Sequence, residues 1–127
     1  MPTIPKAKIL LVEDNPQTAQ FYQEFLSTKY DVDLSPDGQI GLETLRQNPL
    51  KYSLILLDIM LPKVDGVALL EIKQKDPKIA AIPLVLLTNF DDKATIHHCL
   101  EIGAKSCLMK SNITPDKILN VVDNLIG

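Results

Sequence analysis

The chain has 127 residues, 46% of them hydrophobic and 23% charged, with a formal net charge of −3. That length suits one domain spanning residues 1–127 with a core that needs no staples, and the balance of apolar and charged residues excludes disorder. The acidic pI near 5.3 excludes a Lys/Arg-rich nucleic-acid footprint, and no apolar stretch approaches the roughly 20 residues that cross a bilayer, so neither direct nucleic-acid binding nor a membrane role is expected.

The first element, "AKILLVED", is an apolar run that stops on acids. "PQTAQFYQEFLSTK" follows with Phe21, Phe25 and Leu26 near helical spacing, Asn15 placed as N-cap and Pro16 at the first helical position. "YDVDLS" alternates with a period of two, and "DGQIGLETLRQN" returns to helical spacing through Ile40, Leu42 and Leu45 until Pro49. The third pair is "YSLILLDIM" and "VDGVALLEIKQKD", in which Asp65-Gly66 reads as a turn and the start of a helix after Pro62. "IPLVLLTN" and "DDKATIHHCLEIG" form the fourth, closed by the helix-terminating Gly103. "AKSCLMK" and "TPDKILNVVDNLIG" form the fifth, with Thr114 as N-cap and Pro115 at N1.

Strict alternation of strand and helix predicts an α/β fold, a five-stranded parallel sheet covered by helices on both faces through right-handed crossovers. Strands one, three and four are nearly all apolar and belong in the centre; the polar "DVDLS" suits an edge. In such a doubly wound sheet ligands bind beyond the carboxyl ends of the strands. Glu13, Asp14, Asp58, Thr88 and Lys110 all fall on that rim. Three carboxylates together need a compensating cation, and an all-oxygen set without Cys or His points to Mg²⁺. Cys99 and Cys107 lack CxxC spacing and a flanking ligand set, so both are expected reduced, partly buried and free of metal. The leading "MPTIPKAK" has no apolar centre of the signal-peptide kind, and a cytoplasmic location is expected.

The acidic pair in "LLVEDN", the Asp in "LLDIMLPKVDG", the Thr in "LLTNFDD" and the Lys in "GAKSCLMK", in this order at these strand ends, resemble a response-regulator receiver domain of two-component signalling. The resemblance runs from about Lys8 to Ile126. It implies the flavodoxin-like strand order 2-1-3-4-5. It also implies that Asp58 accepts a phosphoryl group from a phosphohistidine on a sensor histidine kinase or histidine phosphotransfer protein. Glu13, Asp14, Asp58 and the backbone carbonyl of Met60 would then hold Mg²⁺, and Thr88 and Lys110 would steady the transferred group. Phosphoryl transfer asks for an in-line nucleophile and neutralised equatorial oxygens, which these residue types supply.

Two positions depart from the family pattern. Ser111 stands where proline usually follows the site lysine, so a trans peptide is expected there. Cys107 stands where most members carry Tyr or Phe, which puts the usual threonine–aromatic coupling in question and shifts attention to the loop Thr88–Asp92 and the fourth helix. Met60 and Phe90 are expected to border the site, where apolar groups cannot orient water, so self-dephosphorylation should be slow. His97 and His98 are about 100° apart on a helix and cannot share one ligand position; at least one should face solvent.

Two functions stay open on sequence alone. One is a phosphorylation switch that alters binding of a downstream protein, for which the resemblance implies the fourth helix, fifth strand and fifth helix as an output or homodimer face. The other is a pseudo-receiver, an interaction module independent of phosphorylation. An independent phosphatase of the haloacid-dehalogenase type would want a second Asp where Met60 stands. Whether the chain acts alone or is part of a longer regulator also stays open.

Overall fold

The computed structural model describes residues 6–126; Met1–Pro5, which begin the stretch read as lacking a signal peptide, and Gly127 lie outside the described residues. Five strands alternate with five α-helices: β1 (Lys8–Val12), α1 (Pro16–Leu26), β2 (Asp31–Ser35), α2 (Gly38–Gln47), β3 (Leu54–Leu57), α3 (Gly66–Lys75), β4 (Leu84–Thr88), α4 (Lys93–Ile102), β5 (Ser106–Met109) and α5 (Pro115–Ile126). The strands are all parallel, in the order β2-β1-β3-β4-β5. Sequence and structure agree on this topology, including the edge position of the polar β2.

Buried strands show no alternation in their composition because both faces are covered. Leu10, Val12, Ile55, Leu57, Leu84 and Leu86 point to one side, against Leu42 and Leu45 of α2, Leu69 and Leu70 of α3, and Cys99 of α4. Ile9, Leu11, Leu54, Leu56, Val85 and Leu87 point to the other, against Ala19, Tyr22 and Leu26 of α1 and Ile118 and Val122 of α5. Fully burying one such side chain is worth about 1.5–3 kcal/mol, so these two layers carry the fold.

Capping sets the helix starts. Asn15, Asp37, Asp65 and Asp92 each accept a bond from a backbone N–H in the first turn of the helix that follows. Thr114 Oγ1 accepts from Lys117 N at the start of α5. Gly103 ends α4 with φ +136°, a conformation a β-carbon would strain.

Polar groups fasten the edge strand β2. Lys8 pairs with Asp31 at 2.6 Å and Lys51 with Asp33 at 3.2 Å, while Gln23 Nε2 donates to Val32 O. Of the helically spaced Phe21, Phe25 and Leu26, Leu26 is buried while Phe21 is 55% exposed, and Tyr22, one position on, turns inward. Cys99 is wholly buried rather than partly so, and Cys107 is half-buried; both are free thiols. His97 and His98 both face solvent, beside Glu101 and Glu71. Among the described residues no helix is long and apolar enough to cross a membrane.

Candidate functional site

Strand register builds the site. Val12 pairs with Leu57, Leu57 with Leu86, and Thr88 with Met109. The strands therefore finish on one rim, and the next residues leave the sheet together. Glu13 is held by its amide, which donates to Ser35 O, and Asp58 by its amide, which donates to Val12 O. Backbone bonds thus fix where both carboxylates start.

Glu13, Asp58 and Thr88 are buried, whereas Asp14 is exposed. Thr88 Oγ1 donates to Asp58 Oδ1 at 2.7 Å, and Met60 N donates to the same oxygen at 3.2 Å. Lys110 Nζ donates to Asp58 Oδ2 at 2.8 Å and to Glu13 Oε2. Its side chain is only 13% exposed. All five rim residues singled out from sequence converge, with Met60 at the mouth.

The charges explain one another. Burial pushes the Glu13 carboxyl above the usual range; the Lys110 bond pulls it back, and the charge on Asp58 adds to the rise. Burial works against the Lys110 ammonium, but its bonds to Asp58 and Glu13 outweigh that and leave its pKa above the ordinary lysine value. Lys110 is thus charged across the physiological range.

The donor set fits a hard divalent cation. One carboxylate oxygen each from Glu13, Asp14 and Asp58 lies within 4.8 Å of the others, and oxygen donors with an exposed flank suit an ion that keeps several waters. Lys110 already supplies one positive charge to Glu13 and Asp58, leaving Asp14 on the open side.

The surrounding loops are packed closely. A methyl group on Gly66 would stand 2.4 Å from Asp58 O, so the start of α3 lies directly on the backbone of the central carboxylate. Phe90 N donates to Thr88 Oγ1. Met60, 62% exposed, and Phe90 line an open cavity of about 550 Å³ with Asp14, Leu61, Pro62 and Thr95, as expected for residues bordering the site. Lys110–Asn112 form a 3₁₀ turn, so the lysine projects from a tight turn rather than from the strand itself. Every peptide bond among the described residues is trans, including Lys110–Ser111.

One polar contact at the rim escaped the sequence reading. Asn89 Oδ1 accepts from Ser111 N at 2.9 Å. Asn89 looks like an ordinary turn residue in the sequence, but its position immediately after Thr88, with a non-proline after Lys110, was the available signal. Cys107 packs at the margin of the core layer that contains Cys99 of α4.

Residues 9–123 match the family model described as response regulator receiver domain. Response regulator ArlR of Staphylococcus saprophyticus is 38% identical over 104 residues, which is 81% of this chain and 45% of that protein; the chain thus spans less than half of that relative's length. Among solved structures, the Francisella response regulator 1452 receiver domain is 27% identical with a TM-score of 0.84, covering 95% of this chain and 97% of that one. The Mn²⁺-bound form of response regulator Rcp1 is 30% identical with a TM-score of 0.81, covering 93% and 92%.

Proposed function

This chain belongs to the response regulator receiver domain family, and from that premise we propose that it is a phosphoacceptor switch in which Asp58 takes a phosphoryl group from a phosphohistidine. The observation that carries the reading is the convergence on Asp58: a hydroxyl on one carboxylate oxygen and an ammonium on the other, beside two further acids. In transfer, a bond forms between an Asp58 oxygen and phosphorus while the bond from phosphorus to the donor imidazole breaks. Both Asp58 oxygens accept hydrogen bonds, from Thr88 and from Lys110, and a carboxylate of this kind is an established type of covalent nucleophile.

Glu13, Asp14, Asp58 and the backbone carbonyl of Met60 would hold Mg²⁺. When bound, the ion neutralises charge on the transferred group, the usual need of phosphoryl transfer. The similar regulator Rcp1, which has a Mn²⁺-bound form, supports a divalent cation here. Lys110, now bonded to Asp58, is placed to follow the charge onto the phosphoryl oxygens, and Thr88 Oγ1 to redirect its bond to another of them. Thr88 moving with its loop would carry the change to α4, while Cys107 on β5 supplies no ring to turn inward. The product is an acyl phosphate, and Met60 and Phe90 offer water no polar anchor beside it.

The domain is assigned to residues 1–127 and to the cytoplasm, with a histidine kinase or phosphotransfer protein upstream and a protein target downstream. The surface of α4, β5 and α5 is assigned to that target or to a second copy.

Incubation with Mg²⁺ and acetyl phosphate, followed by intact mass, tests the reading. One phosphoryl group is expected on the wild type and none on Asp58→Asn. Absence of both modification and calorimetric Mg²⁺ binding would overturn it in favour of a phosphorylation-independent interaction module.

A further inference from the structure

We infer that Asn89 is a positioning residue for the Asp58 site, holding the turn that presents Lys110 through the amide of Ser111 and so tying Lys110 to the strand end that carries Thr88. This rests on the reading of Asp58 as phosphoacceptor, though the contact itself stands apart from it.

The ladder between β4 and β5 ends at the pair Thr88 and Met109. Beyond it the two chains diverge, one into the loop Asn89–Asp92 and the other into the turn Lys110–Asn112. Asn89 Oδ1 accepting from Ser111 N adds one more cross-link past the last strand pair. That turn has no side-chain cap of its own. Lys110 meanwhile must reach back to Asp58 and Glu13 on β3 and β1. A flexible four-carbon stem puts its ammonium in one place only if its Cα is held.

The two partners of the bond are chemically particular. Asn89 offers a neutral acceptor oxygen from an exposed loop, so it adds no charge beside an anionic donor. Ser111 offers a backbone N–H that a proline in its place would lack. The residues flanking the bond, Thr88 and Lys110, are the two that contact Asp58 from opposite oxygens. A shift of the β4 end therefore pulls on the lysine turn as well. Asn89, Lys110 and Phe21 also line a shallow opening of about 340 Å³ on the α1 side of the site.

Asn89→Ala, Ser111→Pro and the double variant test this beside the wild type. Asn89 is exposed, so thermal melting of Asn89→Ala should change little, and calorimetric Mg²⁺ affinity should hold because neither Asn89 nor Ser111 belongs to the acid cluster. Phosphorylation by acetyl phosphate is expected to slow by about two- to tenfold in Asn89→Ala, the effect of one exposed hydrogen bond. In the Ser111→Pro background, Asn89→Ala should slow it no further. Equal slowing in both backgrounds, or none in either, overturns the inference. Amide exchange of Ser111 and the Lys110 side-chain chemical shifts, read by NMR on unphosphorylated protein, decide the matter separately. Faster exchange with displaced Lys110 shifts in Asn89→Ala supports it, and unchanged values overturn it. A wild type that takes no phosphoryl group would overturn the phosphoacceptor reading, with the NMR arm still deciding whether Asn89 places Lys110.

Discussion

Replacing Lys73 by methionine should stabilise the domain near neutral pH and remove a specific part of its pH dependence. Lys73 is 1% exposed, among the largest fully buried side chains. Its Nζ donates to Ala80 O at 2.9 Å and to Gln74 Oε1 at 2.7 Å, with no carboxylate partner. Burial, with a smaller push from the charge of Lys105, lowers its pKa from 10.5 to about 8. At about 1.36 kcal/mol per unit, that displacement corresponds to a cost on the order of 3 kcal/mol for carrying the charge inside the fold. Below about pH 8 both folded and unfolded chains are protonated and the whole cost is present. Between about 8 and 10.5 the unfolded chain binds the extra proton, so stability rises with pH; above 10.5 the cost is gone. Methionine keeps the unbranched shape without the charge, but leaves Ala80 O without this donor, a loss of about 1–2 kcal/mol. The net expectation at pH 7 is a gain of about 1–2 kcal/mol. Urea unfolding of both proteins at pH 7, 8, 9 and 10 measures it. The wild type should close on the variant as pH rises and fall level with it or overtake it by pH 10. Parallel curves across that range would refute the reasoning, since they would mean that Lys73 sheds no proton there.

Two further outcomes are expected. Gly66→Ala would force a methyl against Asp58 O and should lose about 1–3 kcal/mol of stability, with slower phosphorylation because the backbone under the acceptor must move; denaturant midpoints and acetyl phosphate kinetics report both, and unchanged values would mean that the contact relaxes freely. Phe90→Glu places a polar group beside Thr88, and hydrolysis of the phosphorylated form should quicken roughly tenfold, short of the 10²–10⁴ of a well-placed base. A phosphoryl lifetime equal to wild type would show that Phe90 does not govern access of water.

The rim was readable because strand ends in an alternating fold are few and every one but that of the edge strand β2 carried a reactive group. Asp58 after "LILL" and Lys110 after "CLM" needed only the topology to bring them together. The caps Asn15 and Thr114 were equally plain, since each precedes a proline at the first helical position. The inward turn of Tyr22 rather than Phe21 was not legible, because Phe21, Tyr22 and Phe25 are all large and aromatic and helical spacing alone allows more than one choice of face. Lys73 was invisible for a different reason. In "EIKQKD" it cannot be told from Lys75 until α3 is laid against the loop to β4. Asn89 was missed since its role depends on a neighbour 22 positions away.

The polar guard along β2 has a consequence for crowded solutions. A free strand edge invites another chain to add itself, and chains that do so grow into fibrils. Here Asp31 and Asp33 would be brought close to the same acids of an incoming copy, and the Val32 carbonyl is already engaged by Gln23. Recruitment at this border would have to free the Val32 carbonyl from Gln23 and crowd like charges together before any ladder formed. High local concentration can therefore favour contacts through the helical flanks while discouraging runaway polymerisation from this side of the sheet.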